Sequence, residues 1–460
     1  MASQLSARRS HAALFALLLL AACSDALPSA PGVPLPAPPA DALAVLRCTA
    51  QVRPAVVTCA PDGAAGGAQA TILGGQGVNV RLTASNFEND TAAGLFSMDV
   101  TVQNLLATPM GAADPGAVSG VYVFFYSGPA SATGTVDVYQ PDGEGVFTAA
   151  GQAYFHWPEV LPRNGVSQPR RWRFSVSKSV QSFQFQVYVK TELMPLLVFD
   201  LAAGGNRDIY RMAMDGSDLL RLTTHAADDR NPSASRSTVV FATFRHGKSE
   251  IYSVPLAGGA ETRLTTTAAS EGDPALSPDG LRLAYTSDAV VGVSKVWTAN
   301  PDGTGAVRAT RTSFGSDAEP EAAPAWAPTG NRLALVATAS GSADVYDFAL
   351  GGVPSLLAGG TTAEVDPAWS PDGTRVVYTS NVTGAGDVYM LRLSDGQVTR
   401  LTSGATAESY ATWTGNGRIV YLTFLSGGGT ELRWLNPDVP GSGGVIPVTG
   451  APNRPHAVPF

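Results

Sequence analysis

Charge and cysteine are both scarce in this chain of 460 residues. Asp, Glu, Lys and Arg together make up 15%, and the net charge is −8. That acidic balance argues against a nucleic-acid partner, which needs a basic face to neutralise phosphates. No P-loop, dinucleotide fingerprint or zinc-protease motif occurs, nor the GxSxG elbow of α/β-hydrolases. With three cysteines and no CxxC, a cysteine-bound metal has little support. Glycine (49) and proline (33) are abundant, a composition that suits short strands joined by many turns rather than long helices.

The N-terminus is distinct. Arg8 and Arg9 precede an apolar run from Ala12 to Ala22 that is too short to span a bilayer as a mature helix, so it reads as an export signal. It ends in Leu20-Ala21-Ala22-Cys23, which resembles a bacterial lipobox. That resemblance implies lipid attachment at Cys23 and a membrane hold without a transmembrane segment. Ser24 after the cysteine resembles lipoproteins sorted to the outer membrane. A plain secretory signal with an incidental cysteine is the other reading. On this basis residues 1–22 are a signal peptide and 23–43, rich in Pro and Ala, a tether. The remaining cysteines, Cys48 and Cys59, flank an Arg-Pro turn and are expected to form a disulfide.

Residues 44–194 alternate with period two in short runs. In FQFQVYV, Phe183, Phe185, Val187 and Val189 would share one face and Gln184, Gln186 and Tyr188 the other. One buried face per strand predicts two packed sheets, an immunoglobulin-like β-sandwich with a jelly roll as the alternative, and Trp157 and Trp172 in its core.

Residues 195–460 repeat themselves. EGDPALSPDGLRLAYTSD from Glu271, EAAPAWAPTGNRLALVAT from Glu321 and EVDPAWSPDGTRVVYTSN from Glu364 are variants of one unit. Large residues recur at Tyr210, Tyr252, Trp297, Tyr346, Tyr389 and Leu432, a period of 40 to 50 residues with room for four short strands. That is the spacing of a propeller blade, and six copies predict six blades. The first blade lacks an inner strand of its own, while the terminal RPHAVPF copies an inner strand with no blade after it. The C-terminal strand is thus expected to complete blade 1 and close the ring. These units resemble the PD40, or WD40-like, repeats of the TolB family. The resemblance implies a six-bladed propeller and, in that family, protein interaction across the mouth of the ring. The chain as a whole is expected to be all-β.

The loops entering the inner strands carry Asp228, Asp229, Glu271, Asp273, Glu319, Glu321, Glu364, Asp366 and Glu408. Read together they form a ring of carboxylates able to recruit a cation or a basic peptide. Alternatively, each forms its own turn by accepting from nearby amides. Arg230 and Arg454 are expected to neutralise part of this ring. His225 and His456 could approach across the closure and bind metal, the feature a propeller lyase or hydrolase would need; polar loop residues are the simpler reading. The sequence thus predicts a lipid-anchored cell-envelope protein of the outer membrane. Its propeller binds a protein or peptide without catalytic residue, metal or cofactor, the alternative being a metal-dependent lyase or hydrolase.

Overall fold

A computed structural model describes residues 42–61, 79–146, 149–290, 292–310, 318–339 and 341–459. The signal peptide, Cys23 and nearly all of the tether lie outside the described residues. Every regular element among those described is a strand.

The N-terminal strands form two sheets around one core. The larger runs Val56–Pro61, Ala42–Gln51, Ser182–Thr191, Val121–Ala130, Gln152–Trp157, Gly143–Gly145; the smaller runs Val80–Asp90, Leu95–Asn104, Arg170–Val176, Val136–Val138. Aromatic rings join them: Trp172 of the small sheet stacks on Phe155 at 5.0 Å, and Phe174 meets Phe183 at 5.0 Å. Trp157 and Trp172 are both buried in this core. Phe183, Phe185, Val187 and Val189 face inward, as their alternation requires. Gln186 and Tyr188 on the opposite face are buried too, Tyr188 against the Tyr126 ring at 4.6 Å. Aromatic packing, not solvent, therefore covers that part of the outer face. Cys48 and Cys59 stand opposite each other on the first two strands and are disulfide-bonded.

The C-terminal repeats form six four-stranded antiparallel sheets. The inner strands of blades 2 to 6 are Asp229–Ala234, Glu271–Leu276, Glu321–Trp326, Glu364–Trp369 and Ala407–Trp413. Blade 1 consists of Leu220–Arg221, Asn206–Ala213 and Leu196–Ala203, completed by the C-terminal Ala451–Ala457. Each inner strand packs against the next, and Ala451–Ala457 lies against the inner strands of both blade 2 and blade 6. The ring is closed.

The repeated Ser-Pro-Asp-Gly shows why its residues are needed. Ser370 Oγ donates to Asp372 Oδ1 at 2.5 Å, the same oxygen accepts from Thr374 N at 3.0 Å, and Gly373 takes φ 69°. Ser277, Asp279 and Gly280 repeat the arrangement in blade 3. Between blades, indole rings fill the wedge. Trp326 Nε1 donates to Ala275 O of the preceding blade at 3.0 Å, and Arg375 lies 4.7 Å from the Trp413 ring of the following one.

The two parts touch at one end of the ring. Asp114 receives a two-pronged ion pair from Arg418 at 2.8 and 2.7 Å, and Asn416 Nδ2 donates to Ala113 O at 2.8 Å. Asn416 and Arg418 belong to the turn after the inner strand of blade 6. The loops that lead into the inner strands lie at the other end.

Candidate functional site

Every inner strand is broken by a bulge at the same place. Pairing slips between Arg230 and Ser233, Gly272 and Ala275, Ala322 and Ala325, Val365 and Ala368, and Ser409 and Thr412, with the equivalent slip in the C-terminal strand. Each bulge holds a residue in the left-handed region: Asn231 (φ 54°), Asp273 (42°), Ala323 (47°), Asp366 (52°), Tyr410 (55°) and Arg454 (37°). Asn and Asp tolerate that region, whereas Ala, Tyr and Arg occupy it at a cost of about 1–2 kcal/mol each. All six line a central channel of about 440 Å3, one from each blade.

This ring of six is charged but internally paired. Arg454 Nη1 donates to Asp273 Oδ1 at 2.6 Å, and Asn231 Nδ2 donates to the same oxygen at 3.1 Å. The Arg454 guanidinium also lies 4.7 Å from the Tyr410 ring. Asp366 Oδ2 accepts from Ser409 Oγ at 2.7 Å. Burial pushes the Asp366 carboxyl above its usual range, opposed by Arg454. Burial works against the charge on Arg454 as well, but Asp273 and Asp366 more than compensate and hold it protonated. Of the six bulge residues, the one from blade 4, Ala323, carries no polar group, and it stands between the two aspartates.

Five carboxylates expected at the mouth are instead inside the blades. Asp229, Glu271, Glu321, Glu364 and Glu408 are at most 5% exposed. Asp229 accepts from Arg245 at 3.0 and 3.1 Å, and Glu321 from Lys295 at 3.3 Å and the Val296 amide at 2.9 Å. Glu364 accepts from Thr362 and Ser380 at 2.7 and 2.8 Å, Glu408 from Thr406 at 2.6 Å, and Glu271 from Thr267. They bracket the start of each inner strand, which corrects the expectation of one continuous acidic ring. Burial raises the Glu271 carboxyl.

The other expected residues divide as well. Asp228 accepts from the Arg207 amide at 2.8 Å and from Arg230 at 2.5 Å, and its carboxyl is held low chiefly by the Arg230 bond. Arg230 thus serves its own loop. Glu319 accepts from Thr338 at 3.2 Å, and its backbone oxygen receives Lys295 at 2.5 Å. His225 and His456 are not brought together. His225 Nδ1 accepts from the Ala227 amide at 3.0 Å in an exposed loop, whereas His456 lines the channel.

A second cavity of about 860 Å3 opens over blades 2 and 3, bounded by Asp228, Arg230, Phe244 and Asp288. Asn231, Tyr410 and Arg454 border both cavities, so the groove leads into the channel. Phe244, Val382, Phe424 and Leu425 are 39 to 58% exposed at this end, in or beside the turns that follow the second strands. Sequence reasoning missed Asn231, Ala323 and Tyr410. The available signal was their position immediately before the recurrent proline, or before Ala411 in its place.

Comparison with known proteins bears on the propeller. Residues 307–441 match the family model described as PD40, TolB beta propeller domain. The crystal structure of TolB from Acinetobacter baumannii superposes with a TM-score of 0.51 at 18% identity, covering 58% of this chain and 67% of that one. A putative TolB from Agrobacterium tumefaciens gives 0.47 at 16% identity, over 56% of this chain and 90% of its own. A puromycin-hydrolyzing peptidase of Mycobacterium tuberculosis gives 0.40 at 14% identity, over 81% of this chain and 54% of its own. No curated protein matches the chain. With its repeats in register and its six blades closed, the C-terminal part of this chain has the fold of a six-bladed propeller, and residues 307–441 within it are similar to the TolB-like PD40 family.

Proposed function

We propose that this chain is a lipid-anchored binding protein of the cell envelope. In this reading the propeller presents its open mouth to a protein or peptide partner, and the mouth is not a catalytic centre. The observation that carries it is the continuity of the groove over blades 2 and 3 with the central channel through Asn231, Tyr410 and Arg454. Exposed Phe244, Val382 and Leu425 beside it supply apolar contact area, and the paired charges of the channel supply orientation. Its placement at the ring end opposite Asp114 and Arg418 leaves the mouth free of the N-terminal sheets. The lipobox resemblance at Cys23 and the Pro/Ala-rich tether support presentation from a membrane, with the outer membrane suggested by Ser24.

Site-specific photocrosslinking in intact cells tests the proposal. A crosslinker replacing Phe244 should capture a defined partner, and one replacing Val353, exposed away from the mouth, should not. Capture should fall at least tenfold when Asp273→Asn and Asp366→Asn are combined in a folded protein. Equal capture from both positions would refute the mouth as the working surface. Palmitate labelling that persists after Cys23→Ala would refute the anchor.

A further inference from the structure

The C-terminal strand is held in the ring by a single backbone ladder. Ala451–Ala457 pairs with Leu196–Ala203 and ends its sheet, so its grip on the neighbouring blade runs through side chains. His456 provides one such contact. Its Nδ1 accepts from the Ala234 backbone N–H of blade 2 at 3.3 Å, and its Nε2 lies 3.4 Å from Ser233 Oγ. A backbone N–H can only donate, so Nδ1 must be unprotonated and the proton sits on Nε2, facing Ser233. Ser233 Oγ also accepts from the Leu276 amide of blade 3 at 3.1 Å. One imidazole and one hydroxyl thus tie blades 1, 2 and 3 together across the closure.

We propose that His456 is an acid-sensitive lock on ring closure. A proton added at Nδ1 removes the acceptor for Ala234, sets N–H against N–H, and loosens the C-terminal strand from blade 2. No carboxylate among the described residues pairs with the ring. The titratable groups on the strands packed against Ala451–Ala457 are engaged elsewhere. Asp200 holds Arg207, Asp229 holds Arg245, Arg230 turns to Asp228, and Glu431 holds Arg433, which also acts on Tyr421. Glu408 accepts from Thr406, and Tyr410 lies under Arg454, which itself pairs with Asp273. Asp366, across the channel, accepts from Ser409.

The sign follows from linkage. Burial lowers the imidazole to about 4, below the 6.5 of a free histidine. The released strand therefore takes up a proton that the closed ring excludes. Stabilisation by the lock is complete above about pH 6.5 and is lost as pH falls towards 4.

Hydrogen exchange of the full chain at pH 7.5, 6.5, 5.5 and 4.5, corrected for intrinsic rates, tests this against His456→Gln. Glutamine can accept from Ala234 and has no proton to gain. In the wild type, opening of residues 451–459 should rise by up to tenfold per pH unit below 6.5, with no such rise in the inner strands of blades 4 and 5. In the variant, residues 451–459 should show no such rise. Equal slopes in both proteins, or no slope in the wild type, overturn the proposal. If the variant does not fold, an NMR titration of His456 in the wild type decides. A midpoint below 5 accompanied by strand release supports the lock, and one near 6.5 overturns it.

Discussion

Arg454, the fourth residue of the last strand, donates to Asp273, the third residue of the inner strand of blade 3, across the intervening blade 2. Two residues 181 positions apart thus join the end of the propeller to its first half, at the point where groove and channel meet. Both are less than one third exposed, so the pair is partly shielded from water.

Arg454→Met should therefore destabilise the propeller by about 2 kcal/mol, since it leaves Asp273 and Asp366 facing each other without their cation. Adding Asp273→Asn should recover part of that loss. Urea unfolding of the two single variants and the double variant measures the coupling; strict additivity would mean that the contact contributes nothing.

The buried Lys295–Glu321 pair between blades 3 and 4 predicts a larger effect. Both side chains are fully buried, so Glu321→Gln should cost about 3–5 kcal/mol by removing the buried ammonium's carboxylate partner. Asp228→Asn, in an exposed loop with the ion pair Arg230–Asp228, should cost less than about 1 kcal/mol. Comparable losses in the two variants would contradict the division of the carboxylates into blade brackets and loop residues.

Ala323 holds φ 47° at its bulge. Ala323→Gly should stabilise by up to about 1 kcal/mol, because relief of left-handed strain outweighs the extra freedom of the unfolded chain. Ala325→Gly, two residues on and outside that region, should destabilise instead. Thermal midpoints of the two variants check the contrast.

Deleting residues 455–460 removes three of the seven residues of the strand that completes blade 1, His456 among them. The melting temperature of the propeller should fall by at least about 5 °C, with blade 1 losing exchange protection first. An unchanged midpoint would show that the ring does not depend on its clasp.

Much of the fold was legible because its causes are local. Period-two runs place Phe183 and Phe185 inside, Pro-Asp-Gly closes hairpins through Asp372 and Gly373, and a repeat of 40 to 50 residues requires a ring. Even the closing strand could be read, since RPHAVPF copies an inner strand and blade 1 lacks one. The candidate site was legible only in part: its loops were identified, and Asp273, Asp366, Arg454 and His456 do line the channel. Asn231, Ala323 and Tyr410 escaped because nothing in their side chains marks them as partners of the other three.

The repeat, the turns and the inner strand that closes the ring are properties of the sequence by itself, set by spacing and by residues acting on their immediate neighbours. The tertiary structure alone decided which carboxylates meet the channel. Glu271 and Asp273, or Glu364 and Asp366, stand two apart, and a regular strand would turn both to one face. At the bulge the aspartate itself takes the left-handed conformation, so the glutamate stays in its blade while the aspartate swings into the channel. Only the closed ring then brings Arg454 from the end of the chain to meet it.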